Sequence, residues 1–273
     1  LYIVGIGPGS ADQLTPQAHR VLSDADVVAG YGTYIDLIRP LIAGKTVIVT
    51  PMKGEVERAQ AVIDAALGGR CCALVSSGDA GIYAMAGLIL ELCRLRHIAI
   101  ADCQGHTAAG GKEPVLHVVI VPGVPALCAG AALLGAPLTH DFAVISLSDL
   151  LTPWEVIQKR LDAAAAADFV IVLYNPKSRK RNWQLTAAQQ IVLRHRAPQT
   201  PAGIVTRAGR DGQHVQVVSL DQLHRAAVDM QTTLFIGNSS TFSYCGRVVT
   251  PRGYAMKYAL KDTPAFDDGT KPL

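Results

Sequence analysis

The first half of the chain alternates short apolar runs with longer segments whose apolar residues recur every three or four positions. LYIVGI, DVVAG, TVIVT, CCALVSS and LHVVIV read as strands. Between them, TPQAHRVLSDA, EVERAQAVIDAAL and GIYAMAGLILELCRL carry the spacing that places apolar side chains on one helical face. Such alternation predicts an α/β domain with a mostly parallel sheet covered by helices on its faces. After LGAPLTHD the pattern changes. FAVISLS, DFVIVLY, AGIVT, HVQVVSL and TLFIG follow, with WEVIQKRLDAAAAA and QLTAAQQIVLRHR as the clear helices. More strands per helix, with an antiparallel pair expected around the turn RDGQ (210 to 213), predict a second α/β domain with a mixed sheet. The boundary is placed within 136 to 141, giving domains 1–138 and 139–261 and a polar tail 262–273.

One stretch is apolar enough to raise a membrane reading. Residues 118 to 139, VVIVPGVPALCAGAALLGAPLT, carry no charge over a length that would span a bilayer. Three prolines and three glycines break it, so it is read as a buried strand, turn and short helix. No secretory signal precedes Leu1, and the missing initiator Met points to a trimmed start.

Composition narrows the chemistry. The 273 residues are 49% apolar and 17% charged, which implies a large buried fraction. A net charge of +3 is too small to indicate a nucleic-acid binder. Six cysteines form no C-x-x-C and have no nearby paired histidines. No metal site is therefore expected, and the thiols read as reduced, mostly buried and cytoplasmic.

Glycines stand where the predicted strands end: Gly7 and Gly9 after the first, Gly78 and Gly81 after CCALVSS, Gly123 after LHVVIV. In open α/β sheets ligands bind beyond the carboxyl ends of strands, so these loops outline one candidate site. The opening loop is G-x-G-P-G, with Ser10 where a dinucleotide fingerprint needs glycine, and Pro8 removes a backbone donor. It is not a Walker loop either. A dinucleotide oxidoreductase also wants an acidic residue ending the second strand, where Tyr31 stands. That reading fails twice.

The ordered set G-x-G-P-G, SSGDAGIY, VPGVPA, LGAPLTHD, VLYNP and IGN resembles the tetrapyrrole methylase family over nearly the whole chain. Two longer stretches, DFAVISLSDLLTPWEVIQKRL and ADFVIVLYNPKSRKR, look like the branch that methylates precorrin-3B at carbon 17 with ring contraction on the way to cobalamin. The resemblance implies two α/β domains with a cleft between them, a homodimer, and S-adenosylmethionine as cofactor with S-adenosylhomocysteine as product. Carried over by position, it implies cofactor contacts at Pro8, Ser77, Gly78, Asp79, Ile82, Pro125, Ala126, Asn175 and Ala208. Gly7 and Gly9 are expected beside the substrate. Ala80 stands where the common G-D-P has proline, and Pro125 where a Ser or Thr is usual. A sister methylase acting at another ring carbon and a non-catalytic tetrapyrrole-binding protein remain as alternatives.

Methyl transfer from a sulfonium needs near-attack positioning and exclusion of water, not a covalent nucleophile. Ring contraction adds proton transfers. His140 and Asp141 at the junction, and Ser146, Ser148 and Asp149 in ISLSD, are the candidates. The alternative for His140 and Asp141 is a structural tie, and for Ser148, Asp149 and Asp79 a helix cap. His106 and Lys112, in the loop 103 to 114, read as solvated. Lys177, Arg179 and Arg181 in NPKSRKRN are candidates for the carboxylates on the rim of a precorrin.

Overall fold

The computed structural model describes residues 1–101, 114–178 and 182–258. The elements in order are β1 (Tyr2–Gly5), α1 (Pro16–Asp24), β2 (Val27–Tyr31), α2 (Gly32–Ile38), β3 (Thr46–Thr50), α3 (Glu55–Leu67), β4 (Cys72–Ser76) and α4 (Ala86–Leu95). There follow β5 (Ala99–Ala101), β6 (Val115–His117), β7 (Val119–Val121), α5 (Ala126–Leu134), β8 (Gly135–Ala136), β9 (Phe142–Ser146), α6 (Trp154–Ala166), β10 (Val170–Tyr174) and α7 (Gln184–Leu193). The chain continues through β11 (Pro201–Thr206), β12 (His214–Ser219), β13 (Thr232–Ile236), β14 (Phe242–Tyr244), β15 (Arg247–Val249) and α8 (Tyr254–Tyr258). It divides into two compact units. The first comprises Leu1–Leu133, Val205–Val215 and Gln231–Thr233; the second comprises Leu134–Ile204, Gln216–Met230 and Leu234–Leu273.

The first unit is built on the sheet β3-β2-β4-β1-β7, parallel at every pairing. Its central strands β1, β2 and β4 are buried on both faces, whereas the edge strand β3 exposes Val47 and Val49, and alternation sorts the buried side chains into two cores. Ile3, Val27, Ala29 and Leu74 pack with Val62 and Ile63 of α3 and Ile89 and Leu92 of α4. Val4, Val28, Ala73 and Val75 face the other way, onto Val21 and Leu22 of α1 and Ile35 and Ile38 of α2. Thr15 caps α1 by accepting from the Ala18 N–H at 3.1 Å, with Pro16 in the first turn.

The second sheet, β12-β11-β13-β10-β9, is mixed: β10 runs parallel to β9 and antiparallel to β13. One face carries Ile171, Leu173, Ile204, Leu234 and Ile236 against Ile157 and Leu161 of α6 and Leu185, Ala188 and Val192 of α7. A small sheet, β14-β15-β8, is also mixed.

Three readings of the sequence are corrected. LHVVIV is not one strand: the chain breaks at Val118, β6 pairs with β5, and β7 pairs with β1. The helix expected from Gly81 begins at Ala86, after a turn. The cysteines are not mostly buried: Cys72 and Cys93 are, whereas Cys128 and Cys245 are exposed. Residues 118 to 139 form β7, a turn, α5 and β8, and among the described residues no helix is long and apolar enough to cross a membrane.

Candidate functional site

In the first unit the carboxyl ends of β1, β4 and β7 converge through their glycines. Gly7 and Gly78 exchange backbone hydrogen bonds, N to O, at 3.0 and 2.7 Å. A Cβ on Gly123 would lie 2.2 Å from the Gly78 carbonyl oxygen and 2.7 Å from that of Gly5. Only a residue without a side chain fits where three main chains meet this closely. Gly78 (φ +71°) also faces the next loop: a Cβ there would stand 3.5 Å from the Pro125 Cα and 3.6 Å from the Ala126 nitrogen.

Asp79 locks the arrangement. One carboxylate oxygen accepts from the Gly81 N–H at 2.8 Å and the other from the Gly123 N–H at 3.0 Å. It does not cap α4, whose N-cap is Met85 with no side-chain bond. Half-buried Ile82 sits in the turn that Asp79 organises. Two of the carboxylate's acceptor positions are used, and the others stay available to a ligand.

The segment after β11 adds a residue that the sequence did not single out. Arg210 donates from Nη2 to the Ser77 hydroxyl at 2.6 Å and from Nε to the Pro8 carbonyl. It thereby joins the glycine–proline loop to the turn after β4. A Cβ on Gly9 would fall 2.4 Å from the Arg210 side chain, and one on Gly209 3.4 Å from Pro8 Cγ. Ala208 therefore belongs to a segment laid along Pro8–Ser10. Burial lowers the Arg210 guanidinium pKa and raises that of the Tyr34 phenol, which lies within its field. A cavity of about 460 Å³ opens here between Gly9, Ser10, Leu37 and Arg210. In sequence Arg210 appears only as the first letter of the turn RDGQ.

The second unit gathers another set at the ends of β9 and β10. The Ser146 hydroxyl accepts from Asn175 Nδ2 at 3.0 Å and from the Ser148 N–H at 3.2 Å. Asn175 holds a left-handed backbone, φ +51°. Asp149 accepts from Gln184 Nε2 at 2.8 Å. Ser148 and Asp149 do not cap α6, whose N-cap is Pro153. His140 and Asp141 are exposed and engage each other: His140 Nδ1 accepts from the Asp141 N–H at 2.8 Å. Lys177 is exposed; Arg179 and Arg181, like Cys103, His106 and Lys112, lie outside the described residues.

The structure thus brings Gly7, Pro8, Gly9, Ser77, Gly78, Asp79, Ile82, Pro125, Ala126 and Ala208 together in one unit. It brings Ser146, Ser148, Asp149 and Asn175 together in the other. The first group suits a polar adenosyl cofactor. It offers backbone groups that glycine leaves accessible, a carboxylate with spare acceptor capacity, and the buried Ser76 hydroxyl, which has no hydrogen-bond partner among the described residues. Among the described residues, no three His, Cys, Asp or Glu side chains are placed to hold a metal ion.

A family model described as Tetrapyrrole (Corrin/Porphyrin) Methylases matches residues 1–224. The chain is 44% identical over 256 residues to a probable cobalt-factor III C(17)-methyltransferase of Salmonella typhimurium, covering 94% of this chain and 100% of that protein. It is 43% identical over 263 residues to a cobalt-factor III methyltransferase of Priestia megaterium, covering 96% of this chain but 46% of that longer protein. The crystal structure of the methyltransferase CobJ superposes with a TM-score of 0.80 at 34% identity, over 92% of this chain and 98% of that one. With its glycine-built loops on the first of two α/β units, the chain belongs to the tetrapyrrole (corrin/porphyrin) methylases.

Proposed function

We propose that the chain transfers the methyl group of S-adenosylmethionine to carbon 17 of a cobalt-bearing tetrapyrrole, with ring contraction, in cobalamin biosynthesis. What carries this reading is the 44% identity along the full length of a relative named for that reaction. The relatives' names favour cobalt-factor III over metal-free precorrin-3B as the substrate.

When bound, S-adenosylmethionine supplies a methyl group activated by its sulfonium. The chain's task is to hold that methyl against a ring carbon at roughly 3–3.5 Å and keep water away. Gly78 lets the main chain approach the cofactor beside Pro8 and Pro125, Gly7 and Gly9 stand beside the substrate, and Asp79 and Arg210 fix these loops. Ser77, Ile82, Ala126, Ala208 and Asn175 complete the contacts. Ser146 suits the proton-handling side. Its oxygen already accepts two hydrogen bonds, which leaves its O–H as the donor for a third partner. Asp149, Ser148, His140 and Asp141 are the other groups available for proton transfer. Lys177, Arg179 and Arg181 hold the substrate carboxylates.

The protein works in the cytoplasm as a homodimer. The strand β14 supports an interface: it lies at the edge of its sheet, and Phe242 and Tyr244 are exposed along it. Light scattering at micromolar concentration should give twice the chain mass, and a monomer mass would remove the dimer. For the activity, the test is incubation with S-adenosylmethionine and cobalt-factor III. One methyl gained by the tetrapyrrole for each S-adenosylhomocysteine released supports the reading; cofactor turnover without a methylated product opposes it.

A further inference from the structure

The loops after β9 and β10 carry an apolar surface in addition to the polar groups already described. Leu151 is 98% exposed and Leu150 70%. Three residues further on stands Trp154, packed partly into the second core. Against it lies Trp183, the other of the chain's two tryptophans, edge to face at 4.9 Å between centroids. Trp183 opens α7 and is 49% exposed. Single exposed leucines need no explanation, but neighbouring leucines beside an aromatic pair form a patch of the kind that marks a contact surface.

Three features say what covers it. The loops are tied together, Asp149 to Gln184 and Ser146 to Asn175, so the surface is set before any ligand arrives. It lies beyond the carboxyl ends of the parallel pair β9 and β10, where α/β sheets take ligands. On the loop after β10, six residues before Trp183, stands exposed Lys177. An apolar, aromatic face with a lysine on the same loop is complementary to a flat macrocycle edged with carboxylates.

We infer that Leu150, Leu151 and Trp183 form the platform on which one face of the tetrapyrrole macrocycle rests. This rests on the substrate class proposed above. The contact selects for an extended π-system through burial of side chains that water otherwise covers, and Lys177 offers a charge to a rim carboxylate.

Both tryptophans lie at this surface, so their fluorescence reports binding. Wild type is titrated with cobalt-factor III in the presence of S-adenosylhomocysteine, beside Trp183→Phe and the double variant Leu150→Ser, Leu151→Ser. The leucines are exposed, so the double variant should keep the wild-type melting temperature and its calorimetric affinity for S-adenosylhomocysteine. Its dissociation constant for the tetrapyrrole should rise about tenfold or more, the scale set by removing leucine side chains that the ligand would bury. Equal dissociation constants, with wild type binding normally, overturn the platform and leave the proposed activity standing. No quenching of wild type at any concentration overturns the substrate reading itself. A halved mass in the double variant with unchanged tetrapyrrole affinity assigns the leucines to a contact between copies, which also overturns the platform.

Discussion

Asp79 spends its two oxygens on the N–H groups of Gly81 and Gly123, joining the turn after β4 to the turn after β7. Hydrogen bonds to a charged group contribute about 1.5–3 kcal/mol, so Asp79→Ala should lower unfolding stability on that scale. It should also weaken S-adenosylhomocysteine binding far more than Lys112→Ala does, since the turns it joins form the cofactor loops. Equal calorimetric affinities for wild type and Asp79→Ala would remove Asp79 from the site. The glycine clusters at 5–9, 78–81 and 123 were legible because glycine at a strand end has few other uses. The partners of Asp79 and Arg210 were not: these bonds span 44 and 133 positions along the chain, and no local pattern encodes them. The alternative reading of Asp79 as a helix cap failed for the same reason. A cap needs only its neighbours, whereas this carboxylate divides its oxygens between the next turn and a distant loop.

Of the expected helices, α7 ends at Leu193, before the RHR included in its pattern, whereas α3 was read to the residue, Glu55–Leu67. The start of α4 was not, because Ile82 and Met85 extend the helical spacing while the Asp79 turn holds that backbone elsewhere. Period-2 alternation through LHVVIV likewise concealed a change of sheet, since alternation gives the faces of a strand but not its neighbours. Between α6 and the end of α7, Asp162 accepts from His195 Nε2 and Arg194 Nη2, both at 2.8 Å. The His195 bond first, then the Arg194 bond, lowers the Asp162 carboxyl pKa. A carboxyl depressed in the folded state adds stability above its unfolded value, about 3.9, and loses it as pH falls through the folded value. Asp162→Asn should therefore flatten the decline in melting temperature below about pH 4, by a small amount because the group is exposed. An unchanged acid limb would show that this link does not contribute. The basic segment before α7 gives a second prediction at this scale. Arg179→Gln with Arg181→Gln should raise the KM for the tetrapyrrole, since an exposed arginine–carboxylate pair contributes about 0.2–1 kcal/mol. The difference from wild type should shrink with added salt. A double variant matching wild type at low salt would place the carboxylates elsewhere.

A parallel first sheet and a mixed second one followed from strand–helix alternation giving way to strand-rich sequence near LGAPLTHD. That Val205–Val215 and Gln231–Thr233 count with the first unit was not legible, because membership there depends on long-range contacts and not on composition. The same segment carries Arg210, so the part of the site that the sequence missed and the part of the fold that it could not show are one. For the molecule as a whole, the defining property is where the methyl group arrives. Incubation with cobalt-factor III and S-adenosylmethionine carrying a 13C-labelled methyl, followed by NMR of the tetrapyrrole, reads that position directly. The assignment predicts label on carbon 17 and a contracted macrocycle with carbon 20 outside the ring. Label on another ring carbon, or an uncontracted macrocycle, would contradict it.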